Sequence, residues 1–87
     1  MRFVFSTRFK RQYRKLPKIL QNRTDERLLA FAANPLHALL HNHALRGTHR
    51  RDRSLSVSGD YRLVYREVEP GIALLIDIGT HSELYGK

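Results

Sequence analysis

The chain has 87 residues, 16 of them Lys or Arg and 8 Asp or Glu, for a formal charge of +8. A chain this short removes only about 60% of its unfolded surface from water, so it supports one domain with one thin core, and deep cavities or two-domain clefts are not expected. The lack of Cys excludes disulfides, thiolate nucleophiles and Cys-containing zinc sites. No apolar run reaches the about 18 residues of a membrane span, and the opening six residues are too short for a secretory signal, so a soluble cytosolic protein is expected. Its positive surface favours polyanionic partners: RNA, DNA, an acidic protein or an anionic membrane face.

Arg2 to Ser6 alternates with the period of a strand. Ser6 or Thr7 is a candidate cap for a helix whose apolar positions Phe9, Tyr13 and Leu16 fall on one face, with Arg8, Lys10, Arg11, Arg14 and Lys15 on the other. Pro17 suits the first turn of a second helix, expected to close at Asn34-Pro35 and to turn Ile19, Leu20, Leu28, Phe31 and Ala32 toward a core. The basic face of the first helix reads either as an RNA surface or as an ordinary solvated face.

From Leu36 to Arg51 the periodicity fails, which predicts a long connection with a short strand at Ala44-Leu45. Three alternating segments follow, Arg53 to Val57, Tyr61 to Arg66 and Ile72 to Ile78, and predict an antiparallel meander. A three-residue loop Ser58-Gly59-Asp60 would pair Val57 with Tyr61, Leu55 with Leu63 and Ser56 with Arg62, separating an apolar face from an open face bearing Arg62, Ser56 and Ser54. The expected fold is α+β in the order β-α-α-β-β-β, with the helices on one sheet face and no repeat or linker.

His81 follows the last strand, where an imidazole can give or take a proton, although an isolated surface His has the same appearance. Arg62 on the open face is placed either to hold a phosphate or to pair across strands. Tyr85 either stacks on a base or packs under the sheet, while Tyr61 and Tyr65 read as core. His37, His41, His43 and His49 crowd one segment; His37 and His41 at i, i+4 match a zinc spacing, but an acid-base role for one of these His residues fits the sequence better. RNA cleavage without metal or other cofactor needs a base for the 2′-hydroxyl, a cation for the phosphorane and an acid for the 5′-oxygen, needs that His43, Arg62 and His81 meet in kind.

The strings His43-Ala44-Leu45-Arg46-Gly47, Gly59-Asp60-Tyr61-Arg62-Leu63-Val64-Tyr65-Arg66 and Gly79-Thr80-His81-Ser82-Glu83-Leu84-Tyr85-Gly86 resemble the RelE/ParE superfamily of type II toxins. The closing Gly-Thr-His-x-x-Leu-(Phe/Tyr)-Gly is similar to the YafQ branch of ribosome-dependent mRNA interferases. The resemblance implies a RelE-like ribonuclease fold, an endoribonuclease that cuts mRNA in the ribosomal A site, and neutralisation by an acidic, partly disordered antitoxin in a hetero-oligomeric complex, with no membrane partner. It implies catalytic roles for His81, His43 and Asp60, matches Arg62 to a strand Arg used on phosphate, and gives Tyr85 the task of positioning a base. Arg46, Arg53 and Ser56, with Lys10, Arg11 and Arg14, complete the candidate substrate-binding set.

Two positions depart from that pattern. Ser56 stands where the branch has a further catalytic His, and Tyr61 where it has Trp. Ser56 cannot act as the same base, which shifts proton transfer onto His43 and His81. Two other readings stay open: a non-enzymatic ParE-type toxin that inhibits DNA gyrase, which has no need of a titrating group beside an Arg, and a generic RNA-binding module, which predicts binding without cleavage.

Overall fold

A computed structural model describes residues 1–46 and 51–85; Gly47, His49 and Gly86 of the sequence motifs lie outside the described residues. The elements are β1 (Arg2–Phe5), α1 (Thr7–Lys15), α2 (Lys18–Ala33), a 3₁₀ turn (Ala38–Leu40), β2 (His43–Ala44), β3 (Arg53–Ser58), β4 (Tyr61–Glu69), β5 (Ile72–Thr80) and α3 (His81–Tyr85). The strands form one sheet in the order β1-β5-β4-β3-β2. β1 runs parallel to β5, and the other neighbours are antiparallel. This is the expected α+β order, with the short strand of the connection entering the sheet as β2 and a third helix added at the end.

Ser6 joins α1 to the sheet. Its Oγ accepts the Phe9 N–H at 2.9 Å, which caps the helix, and donates to the Ile76 carbonyl at 2.9 Å. Phe9 is thereby held in the core, with Tyr13 and Leu16 packed against its edge. The Tyr13 hydroxyl donates to Asp25 Oδ1 of α2 at 2.9 Å, and burial together with that carboxylate raises the phenol pKa above its ordinary value. Leu16 ends α1, and Pro17 stands just before α2 as its cap residue rather than inside its first turn.

The buried stripe of α2 differs from the expected one. Phe31 and Thr24 are buried, and Leu20 and Leu28 half-buried, but Ile19 is 77% exposed and Ala32 is also exposed. Successive helical residues point about 100° apart, so a stripe through Leu20, Thr24, Leu28 and Phe31 necessarily turns Ile19 and Ala32 away. Thr24 can occupy the centre of that stripe because its hydroxyl donates to the Leu20 carbonyl at 2.7 Å.

The core lies between α1, α2 and one sheet face, where Leu55, Val57, Leu63, Tyr65, Ala73, Leu75 and Ile78 meet Phe9, Phe31 and Leu40. At the β3–β4 hairpin Leu55 pairs with Leu63 and Ser56 with Arg62, as expected, but Tyr61 pairs with Ser58 rather than Val57. The turn is Gly59-Asp60, with Gly59 left-handed at φ 51°, and Val57 is the extra residue of a bulge. The bulge keeps the Val57 side chain buried while restoring the register further along the strands. The short strand falls one residue earlier than expected, at His43–Ala44.

The opposite sheet face is not bare. Ser54 is 0% exposed and Val64 nearly so. Side chains alternate across a strand, so Ser54 faces away from Leu55, and Tyr85 of α3 reaches it there. The His37 and His41 pair does not share a helical face, because Ala38–Leu40 is a single 3₁₀ turn that ends at a left-handed His41. No described helix is long and apolar enough to cross a membrane.

Candidate active site

Three strands and α3 converge on an open cleft of about 460 Å³ lined by His43, Leu45, Arg46, Ser54, Arg62, His81 and Tyr85. β2 contributes His43, which pairs with Ser54 of β3; Arg62 comes from β4; His81 and Tyr85 come from α3. Backbone pairing therefore sets the spacing of two imidazoles, a guanidinium and a phenol ring that lie far apart along the chain.

α3 is held by its own sequence. The Glu83 carboxylate accepts the Thr80 N–H at 2.8 Å, and Thr80 Oγ1 accepts the Glu83 N–H at 3.2 Å, a reciprocal capping box. The His81 N–H donates to the Asp60 carbonyl at 3.1 Å, tying the start of α3 to the β3–β4 turn. Gly79 makes room for the cap: a Cβ there would sit 2.7 Å from Glu83 Oε1. The His81 and Tyr85 rings meet nearly edge to face at 4.6 Å, and the Tyr85 hydroxyl donates to Ser54 Oγ at 3.1 Å.

Arg62 is half-buried, and its Nη1 donates to the Gly59 carbonyl at 2.9 Å and the Tyr61 carbonyl at 3.3 Å. These bonds stiffen the side chain against the turn. The guanidinium retains further donors suited to a phosphate. Just before β2, Asn42 donates to the Pro35 carbonyl and to the Tyr65 hydroxyl, both at 2.9 Å, and accepts from Arg53 Nε at 2.8 Å. The Leu45 N–H donates to the carbonyl of buried Asp52, whose side chain pairs with Arg66 at 2.7 Å. The segment entering and leaving β2 is thus anchored at both ends.

Of the residues singled out in the sequence, His43, Arg46, Arg62, His81 and Tyr85 line the cleft. Ser56 pairs with Arg62 across β3 and β4 without lining it, Arg53 is engaged with Asn42, and Asp60 lies exposed in the turn with its carbonyl on α3. Lys10, Arg11 and Arg14 are exposed on α1, where Lys10 and Arg14 edge a separate groove of about 480 Å³ floored by Phe5, Phe9, Tyr13 and Leu28. Leu45 and Ser54 also line the cleft, although neither belongs to the candidate set read from the sequence. Ser54 is legible there as a member of the open face, and Glu83 as the fourth residue of a Thr-x-x-Glu cap.

The model of the bacterial type II toxin–antitoxin toxin family YafQ matches residues 1–86. The chain belongs to the YafQ toxin family. Its fold is shared with a copper-bound mutant toxin from Helicobacter pylori, at 26% identity and TM-score 0.76, covering 98% of this chain and 99% of that one. YafQ from E. coli strain BL21(DE3) is 22% identical with TM-score 0.77, over 99% of this chain and 100% of the other. The toxin is also similar in fold to the intact E. coli RelBE toxin–antitoxin complex, at 22% identity and TM-score 0.71 over 91% and 94% of the two chains. No curated protein matches the sequence.

Proposed function

We propose that this toxin is an endoribonuclease that cuts mRNA on the ribosome by acid–base chemistry in the β2–β4–α3 cleft. The observation that carries the reading is the meeting of His43, Arg62, His81 and Tyr85 along one open, basic cleft. One imidazole removes the 2′-hydroxyl proton, and the 2′-oxygen forms a bond to phosphorus. The bond from phosphorus to the 5′-oxygen breaks as the other imidazole protonates the leaving oxygen, giving a 2′,3′-cyclic phosphate and a 5′-hydroxyl. Arg62 faces the charge that builds on the phosphorane, and a side chain already braced against its own turn loses little freedom in doing so. Tyr85 offers a ring face to a base, while Arg46 supplies a second cation at the same cleft.

The basic face of α1, with Lys10, Arg11 and Arg14, is the surface for ribosomal RNA. The cellular partner is an acidic antitoxin, complementary to a net charge of +8. Toxin–antitoxin complexes of the RelBE and YoeB–YefM relatives, similar in fold, support that reading.

The test is cleavage of one mRNA, free or on programmed ribosomes, by the purified toxin, with analysis of the new ends. Ribosome-dependent cuts ending in 2′,3′-cyclic phosphate are expected. Intact mRNA under both conditions, together with inhibition of gyrase supercoiling, would replace this reading with that of a ParE-type toxin.

A further inference from the structure

His41 has φ 46° and ψ 45° and is the one non-glycine residue at positive φ among the described residues. For a residue with a Cβ this conformation is uncommon, and it persists where neighbouring bonds hold it. Here the His41 N–H donates to the Ala38 carbonyl at 3.3 Å, closing the 3₁₀ turn. Asn42, the next residue, is fixed by its three side-chain bonds to Pro35, Tyr65 and Arg53. The consequence is that the His41 carbonyl lies 2.8 Å from Nδ1 of His43.

A carbonyl oxygen only accepts, so the hydrogen of that bond belongs to His43 Nδ1. A neutral imidazole carries a single N–H, and Nε2 therefore keeps its lone pair. The His81 ring has no hydrogen bond among the described residues, only its edge contact with Tyr85. The two imidazoles thus differ in kind. A general base needs one chosen nitrogen unprotonated, whereas a general acid is an imidazolium with both nitrogens protonated and requires no choice of tautomer.

We propose that His41 is a positioning residue whose carbonyl, presented by its left-handed backbone, fixes the tautomer of His43 and makes His43 Nε2 the base for the 2′-hydroxyl, with His81 the acid for the 5′-oxygen. The inference rests on the ribonuclease reading of the cleft. The base leaves the step as imidazolium and the acid as neutral imidazole, and exchange with water restores both. The role of His41 is carried by its backbone, not its ring. Glycine and asparagine, which accept the left-handed conformation, should replace it, and a β-branched residue should not.

The experiment pairs ¹⁵N-histidine NMR of the toxin with single-turnover cleavage on programmed ribosomes. At about pH 8.5, where imidazoles are ordinarily neutral, His43 is expected to show a protonated Nδ1 and an unprotonated Nε2. His41→Gly and His41→Asn should keep that pattern and the wild-type cleavage rate. His41→Val should lose the pattern and cut about tenfold or more slowly, with ribosome binding unchanged. A protonated Nε2 in the wild type, or a His41→Val variant with the wild-type rate, overturns the proposal. A wild-type chain with Nδ1 protonated that leaves ribosome-bound mRNA intact overturns the ribonuclease reading and, with it, the base assignment, while the positioning by His41 stands.

Discussion

Glu83 and Thr80 hold each other across the first turn of α3, each side chain accepting the other's backbone N–H, at 2.8 and 3.2 Å. His81 is the first helical residue after the capping Thr80, so the same two bonds that start the helix determine where its imidazole enters the cleft. Glu83→Ala should remove about 1 kcal/mol of capping and slow cleavage, whereas Glu83→Gln, which still accepts the Thr80 N–H, should restore both. Thermal melts and cleavage rates on the pair of variants measure this.

Gly79 and Glu83 should be coupled. A Cβ at Gly79 meets Glu83 Oε1 at 2.7 Å, and the next atom, Glu83 Cβ, only at 3.4 Å. Gly79→Ala therefore displaces the capping carboxylate in the wild type but has little left to displace in Glu83→Ala. A double-mutant cycle is expected to show the second substitution costing nearly nothing in the presence of the first, and simple additivity would count against the contact.

Arg62 makes structural bonds to its own turn and, in the proposed mechanism, also faces the phosphorane. Arg62→Ala removes its bonds to the Gly59 and Tyr61 carbonyls, on an exposed turn where the loss is about 0.5–1.5 kcal/mol. Its effect on cleavage should be larger, about 10²-fold or more, because a donor to developing charge is lost. If melting falls steeply and the rate of the folded fraction does not, Arg62 serves the hairpin alone.

Much of this arrangement is legible in the sequence and some is not, for identifiable reasons. The alternation at Leu55, Val57, Leu63 and Tyr65 marks the core face of β3 and β4 because burial on one sheet face imposes a period of two. Thr24 gives no core signal because its polarity is cancelled only by the bond to Leu20 one turn back. The bulge at Val57 is hidden because a three-residue loop separates the apolar and polar faces equally well, so the alternation alone does not distinguish it from a two-residue turn preceded by a bulged residue. The His41 carbonyl leaves no trace, since a left-handed His closing a 3₁₀ turn has no composition signal comparable to Gly. The convergence of His43 with His81 depends on strand order, which no local spacing encodes.

Binding to ribosomes should weaken as salt rises, because each phosphate contact made by Lys10, Arg11 or Arg14 releases condensed counterions. Replacing the three by Gln should reduce the slope of log affinity against log salt by about 0.7–0.9 per contact removed. An unchanged slope would place the RNA contact on another face of the toxin.

The most direct measurement is a primer-extension map of one translated mRNA treated with the toxin or with its His81→Ala variant, in the presence and absence of ribosomes. The expected result is ribosome-dependent cuts that fall by about 10²- to 10⁴-fold in the variant while its melting curve stays that of the wild type. Undiminished cutting by His81→Ala would contradict a cleft whose chemistry runs through that imidazole.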